Sequence, residues 1–169
     1  MFIIATRDIN EQRDSNAIGP NLLDRVFVQP NNGCVPSLDA ILSNLDPRLW
    51  PDEYVFTLAG PALPDCEIAA SIQEYEGLSI IIRRQDADSL GIEYDYVAAR
   101  ITLMVNSSLH TVGLTAAISA RLAESRISCN VVSGLHHDHL FVPSSRAAEV
   151  LMLLRDTSET ATRRIIESK

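Results

Sequence analysis

Cysteine, aromatic residues and runs of basic charge are all in short supply in this chain, and each shortage excludes something. The three cysteines, Cys34, Cys66 and Cys129, are odd in number and include no C-x-x-C pair. Neither a disulfide framework nor a structural zinc site is signalled, and the expectation is three reduced thiols. Aromatics make up 5 % of the residues, so the core has to be aliphatic. The closest basic groupings are the pairs Arg83–Arg84 and Arg163–Arg164, and the net charge is -8. A nucleic-acid partner calls for a basic stripe, so none is expected. The apolar opening Met1-Phe2-Ile3-Ile4-Ala5 turns polar at once, too soon for a signal-peptide core, and no other segment is suited to spanning a bilayer. That leads to the expectation of a cytoplasmic protein with no membrane partner. G-x-S-x-G, the phosphate-binding loop, G-x-G-x-x-G and H-E-x-x-H are also missing. With them go the usual signatures of a covalent, nucleotide-dependent or zinc-dependent catalyst. The expectation is a protein that is not an enzyme and needs no cofactor.

What is present is a hydrophobic content of 46 % over 169 residues, enough for one compact domain or two small ones sharing a sheet. Residues 1–36, rich in Asn, Asp, Arg and Pro, are expected to form a mobile N-terminal extension. Ser37 is placed to cap a short helix over Leu38–Leu42. Pro47 and Pro51 are expected to break the chain before a strand at Tyr54–Leu58. Residues 65–75 carry Ile68, Ala69 and Ile72 and are expected to form a short helix ended by Gly77. Leu78–Ile82 is β-branched and reads as a buried strand. Asp86–Leu90 reads as one helical turn stopped by Gly91. Val97–Val105 is a strand with Ile101, Leu103 and Val105 on one face and Arg100, Thr102 and Met104 on the other. A helix from about Thr111 to Ser125 aligns Leu114, Ala117, Ile118 and Leu122. Strands at Cys129–Ser133 and His139–Val142 follow, joined by Gly134–Asp138. Ser144 is expected to cap a last helix with Ala147, Val150, Leu151 and Leu154 on one stripe, and residues 157–169 to extend it as a fraying tail. From Ile101 the order is β-α-β-β-α. The fold class that suits it is α+β and ferredoxin-like, with helices on one face of an antiparallel sheet.

Several segments then carry a resemblance in fixed order and spacing. They are Glu53-Tyr54-Val55-Phe56, Glu76-Gly77-Leu78-Ser79, Ile101-Thr102-Leu103, Ser107 to Ala117, Ile127 to Val132, and His137 to Val142. On these, the chain from about Ser37 to Arg155 resembles the small standalone proteins in which two ACT-like units are fused. The resemblance implies a ferredoxin-like ACT fold of two βαββαβ units. The first, residues 37–96, is short of a full set or borrows a strand; the second spans 97–156, and 157–169 form a C-terminal tail. It also implies a regulatory role in binding small ligands, usually amino acids, as in the ACT modules of aspartate kinase. In such modules the ligand lies between the loop after the first strand and the start of the second, which here are Ser107–Leu114 and Cys129–Val132. Three features depart from the pattern: residues 1–36 lie outside it, Arg126 stands at a helix end where Gly is expected, and the first unit is short of a full set.

The candidate ligand-binding residues are therefore Ser107, Ser108, His110, Val112, Gly113, Leu114, Asn130, Val131 and Asp138. Gly113 has two readings. It removes a side chain so that a ligand approaches the first helical turn, or it permits close packing of the helix. Asn130, among valines, must find partners, because an unsatisfied buried amide costs about 1–3 kcal/mol; a ligand or the neighbouring loop can supply them. His136-His137-Asp138-His139 offers three imidazoles and a carboxylate, yet no distant ligand completes the set convincingly, so no metal is expected. The resulting expectation is a ligand-binding sensor that transmits occupancy through a homodimer or a protein partner. The alternatives are an interaction module with a vestigial site and a metal-dependent enzyme built on His136–His139.

Overall fold

The computed structural model describes residues 37–105 and 111–168. Ser37 acts as its type predicts: its hydroxyl accepts the N–H of Ala40 at 3.3 Å and starts helix α1, Leu38–Leu42. The two prolines expected to break the chain do not. Both lie within strand β1, Pro47–Leu58. Pro47 is its first residue, and Pro51 falls where the register against the neighbouring strand shifts between Leu49 and Glu53. These are positions where a strand tolerates a missing N–H, so the prolines shape a bulge.

The helix expected over 65–75 is instead strand β2, Ile68–Gln73, paired with β3, Leu78–Arg83. Ile68, Ala69 and Ile72 mimic a helical stripe, but so short a helix has little stability of its own. The turn at Glu74–Gly77, closed by Glu74 N–H to the Gly77 carbonyl at 2.8 Å, offers the segment a full ladder against Leu78-Ser79-Ile80-Ile81-Ile82. β3 runs directly into α2, Arg84–Leu90, and Gly91 ends that helix at φ 66° as the sequence predicts. Then come β4 (Val97–Leu103), α3 (Leu114–Glu124), β5 (Asn130–Ser133), β6 (Asp138–Pro143), a 3-10 turn (Ser144–Arg146) and α4 (Ala147–Glu167). Ser144 does not cap α4. It opens the 3-10 turn, and the residue before α4 is Arg146, with no side-chain cap. The tail expected to fray continues α4 through Glu167 and buries Ala161.

The six strands form one sheet in the order β2-β3-β1-β4-β6-β5, every neighbouring pair antiparallel. Alternation assigns the faces. Ile101 and Leu103 of β4, Leu140 and Val142 of β6, and Leu114, Ile118, Leu122, Val150 and Leu154 of α3 and α4 share one core, which α1 also joins. Val55, Ile80 and Ile82 lie on the same side of the sheet by register and pack on Ala87 of α2. All four helices therefore cover one face. The opposite face carries Tyr54, Phe56, Ile81, Ala98 and Phe141, with no helix in that cluster.

The strand order contains two overlapping sets of four, β4-β1-β3-β2 and β1-β4-β6-β5. In the second set β4, α3, β5 and β6 form the split βαβ of a ferredoxin-like unit, and β1 fills the fourth strand's place. The first set lacks a helix between β1 and β2, where residues 59–67 are irregular. Arg126 takes the left-handed conformation expected of a glycine, at φ 56°, and the Ile127 N–H reaches back to the Leu122 carbonyl at 3.0 Å. The helix-ending turn is thus kept, with an arginine in glycine's place.

Candidate functional site

On the face that none of the described helices covers, the open face, lies a cleft of about 600 Å³. Its walls come from β1, β2 and β3 on one side and from residues 129–132 on the other. β2 and β5 are the two ends of the strand order, so the sheet curls until its edges approach across this face. Register turns Phe56, Leu58, Ala70, Ile72, Ser79, Ile81, Asn130 and Val132 toward it. The floor is aromatic and aliphatic: Phe56 meets the ring of Tyr96 and that of Phe141 edge-on, at 6.0 and 5.6 Å, and Val132 packs against the same cluster. Polar groups stand around this floor. Glu74 accepts a hydrogen bond from the Ser79 hydroxyl, and Asn130 lies exposed on the β5 edge. Cys129 also borders the cleft, and burial pushes its thiol up to about 11, so it stays protonated and unreactive at neutral pH.

Of the residues predicted from sequence, Asn130 and Val131 border this cleft. Ser107, Ser108 and His110 lie outside the described residues. Val112 is exposed and Leu114 is buried in the helix-side core. Gly113 precedes α3 at φ 98°, and a Cβ there would stand 3.2 Å from Leu38 Cδ2 of α1. Backbone conformation and the contact with α1 therefore both ask for glycine, which is the packing reading. Asp138 accepts the Ser133 hydroxyl at 2.5 Å across the β5–β6 hairpin. Sequence reasoning missed Phe56, Ile72 and Glu74. For Ile72 and Glu74 the signal, alternation on a short edge strand, is hidden when 65–75 reads as a helix; Phe56 lies on a strand the sequence does predict, but nothing local to it shows that this strand borders a cleft with residues 129–132.

The imidazoles separate. His136 is exposed, while Nδ1 of His137 lies 3.4 Å from the Val105 carbonyl oxygen. His139 points to the open face, where its Nδ1 lies 2.9 Å from the Thr102 hydroxyl and 3.3 Å from Arg100. Thr102 in turn accepts the indole N–H of Trp50 at 2.8 Å. Two donors aimed at Nδ1 fix it as the acceptor and put the ring proton on Nε2. Burial first, then the Arg100 charge, pulls this imidazole down to about 4. Among the described residues no three metal-capable side chains gather. Elsewhere, Arg84 and then Ser144 hold the Glu53 carboxyl below the usual carboxylate range. That is where the Ser144 hydroxyl goes instead of capping a helix.

Comparison with known proteins fits this geometry. The ACT-domain pattern matches residues 34–99, which span β1, β2, β3 and α2. A crystal structure from Vibrio cholerae, of a protein of unknown function described as a possible transport protein, is 40 % identical. It covers 68 % of this chain and 89 % of its own, with a TM-score of 0.62. This chain belongs to the ACT-domain family. Two further structures are similar to this ACT protein: aspartokinase α and β subunits (15 % identity, 66 % and 95 % coverage, TM-score 0.49), and the ligand-free regulatory subunit of Thermus thermophilus aspartate kinase (12 %, 66 % and 95 %, 0.48). No curated protein matches the chain. At family level the ACT protein is a regulatory, small-ligand-binding module. Among its described residues no helix is long and apolar enough to cross a membrane.

Proposed function

We propose that this ACT protein is a non-catalytic sensor that binds an amino acid in the cleft of the open sheet face. The observation that carries the reading is the convergence of the two sheet edges on one apolar floor with polar groups around it. An amino acid with an aliphatic side chain suits that layout. Its side chain would lie on Phe56, Ala70, Ile81 and Val132, its ammonium group would face the Glu74 carboxylate, and the Asn130 amide would serve its carboxylate. A ligand so placed touches β2 and β5 at once, and it favours whichever curl of the sheet brings both edges to it.

The same proposal divides the chain into an incomplete unit at 37–96 and a fuller one at 97–156, working as a homodimer in the cytoplasm. Among the described strands, β2 and β5 each have one side without a neighbour, and such edges are available for pairing. The Ser107–Leu114 loop remains the rival position for the ligand, on the family resemblance.

A thermal-shift screen of dialysed protein against the twenty amino acids tests the reading. A ligand at a hundredfold excess over its Kd adds about 2.7 kcal/mol. For a chain of this size that raises Tm by roughly 5–10 °C. The shift should be selective for one class of side chain and fall away in Glu74→Gln and Asn130→Ala. A selective shift that survives both substitutions but vanishes on changing Ser107 or Ser108 would move the site to the loop. No shift from any amino acid would overturn amino-acid sensing.

A further inference from the structure

Arg100 stands apart from the other arginines. Arg48, Arg83, Arg84, Arg121, Arg146, Arg163 and Arg164 each have a carboxylate within 4 Å. Among the described residues Arg126, Arg155 and Arg100 have no such ion pair, but Arg126 and Arg155 are exposed while Arg100 is half-buried. Its guanidinium carbon lies 4.5 Å over the Trp50 ring and 5.9 Å from the Tyr54 ring. Taking a guanidinium partly out of water without an anion beside it is costly. Among the described residues its side chain meets one acceptor, Nδ1 of His139, against the five N–H donors of a guanidinium. Its Nε–H is buried and has no partner among the described residues.

A second observation falls on the same face. The other buried polar side-chain atom without a partner, among the described residues, is the Tyr96 hydroxyl. Tyr96, Ala98 and Arg100 alternate on one side of the chain, so the two orphan donors share the open face. The two stand four residues apart along the chain, roughly 13 Å, so each marks its own place where an acceptor is missing. The surroundings also hold the guanidinium still: Trp50 lies under it, and Thr102, bonded to Trp50, fixes the imidazole beside it. An arginine stacked on an aromatic ring is held in place, and its planar fork suits a planar oxyanion.

We propose that Arg100 is the receptor for an oxyanion, the carboxylate or phosphate group of a small molecule, on the open face of the sheet. Arg100 is not among the residues bordering the cleft, so this site stands or falls separately from amino-acid binding there. The attraction of the site is local, since the chain as a whole, at net charge -8, repels anions.

Trp50 is the single tryptophan of the chain, so its emission reports on the surroundings of this guanidinium. The experiment titrates the full chain with acetate, inorganic phosphate and chloride at matched ionic strength, following Trp50 fluorescence and the NMR signal of the Arg100 Nε–H. A saturable change with an oxyanion and none with chloride is the expected result, and whichever of acetate and phosphate saturates first names the class. Arg100→Lys, which keeps the charge but loses the fork, should weaken binding at least tenfold, and Arg100→Met should abolish it. Circular dichroism on both variants checks folding, and Arg100→Lys carries the test if Arg100→Met does not fold. Equal responses to chloride and both oxyanions, no response at all, or an unchanged response in a folded Arg100 variant would overturn the proposal.

Discussion

The two faces of this sheet follow different rules. The main core of the helix-covered face is aliphatic: Leu, Ile, Val and Ala from three helices and from β4 and β6 fill it. The open face holds Trp50, Tyr54, Phe56, Tyr96 and Phe141, and with them Arg100, Thr102 and His139. In a chain with few aromatics, their concentration on one surface is informative. Aliphatic side chains need only volume and area, whereas aromatic rings also present polar edges and faces on which a cation or a ligand can rest. One face supplies most of the core; both proposed binding positions lie on the other.

The sharpest way to break this division is to damage the helix side. Leu122→Ala removes a fully buried side chain from the helix-side core and should cost about 2–5 kcal/mol in chemical denaturation. If Trp50 emission in the still-folded variant stays unchanged, the two faces are independent. Gly113→Val comes next. Its φ of 98° and the 3.2 Å approach to Leu38 predict a loss of about 1–3 kcal/mol, read as a lower denaturation midpoint. A variant of unchanged stability would return Gly113 to the ligand reading.

The open face should show itself through pH. His139 titrates near 4 in the folded protein, below its ordinary 6.5. Between those values the unfolded chain binds the extra proton, so His139 contributes stability that is fully present above 6.5 and is lost as pH falls toward 4. Tm should drop over that window, and His139→Gln should flatten this part of the profile. The smallest effect belongs to Arg126→Gly. Relief of a left-handed side chain, partly offset by glycine's extra freedom in the unfolded state, should stabilise by about 0.5 kcal/mol.

What could be read in the sequence depended on how local its cause is. Ser37 and Gly91 are caps and turns decided by a few adjacent atoms, and both behave as their residue types predict. The stripes of α3 and α4 and the alternation in β4 are equally local periodicities. Pro51 was misread because a bulge exists only relative to a partner strand, and that partner, β4, lies far along the chain. β2 was misread because Ile68, Ala69 and Ile72 fit a helical stripe as well as a hairpin, and β3 decides between them. The cleft suffered from both: it needs β2 to be a strand, and it needs the opposite ends of the sheet to meet. Alternation places Arg100 on its face, but that it is half-buried there with no carboxylate beside it, among the described residues, is a matter of which distant groups pack near.

The central pair β1 and β4 has a consequence for any attempt to shorten the molecule. Each set of four strands counts both of them as its own. A cut between residues 96 and 97 leaves the first fragment without β4 and the second without β1, and each is left with a raw edge where its neighbour had been. The halves resemble two families living around one load-carrying wall: either can be redecorated, neither can move out. Fragments made at that boundary should stay unfolded apart and regain their structure only when mixed.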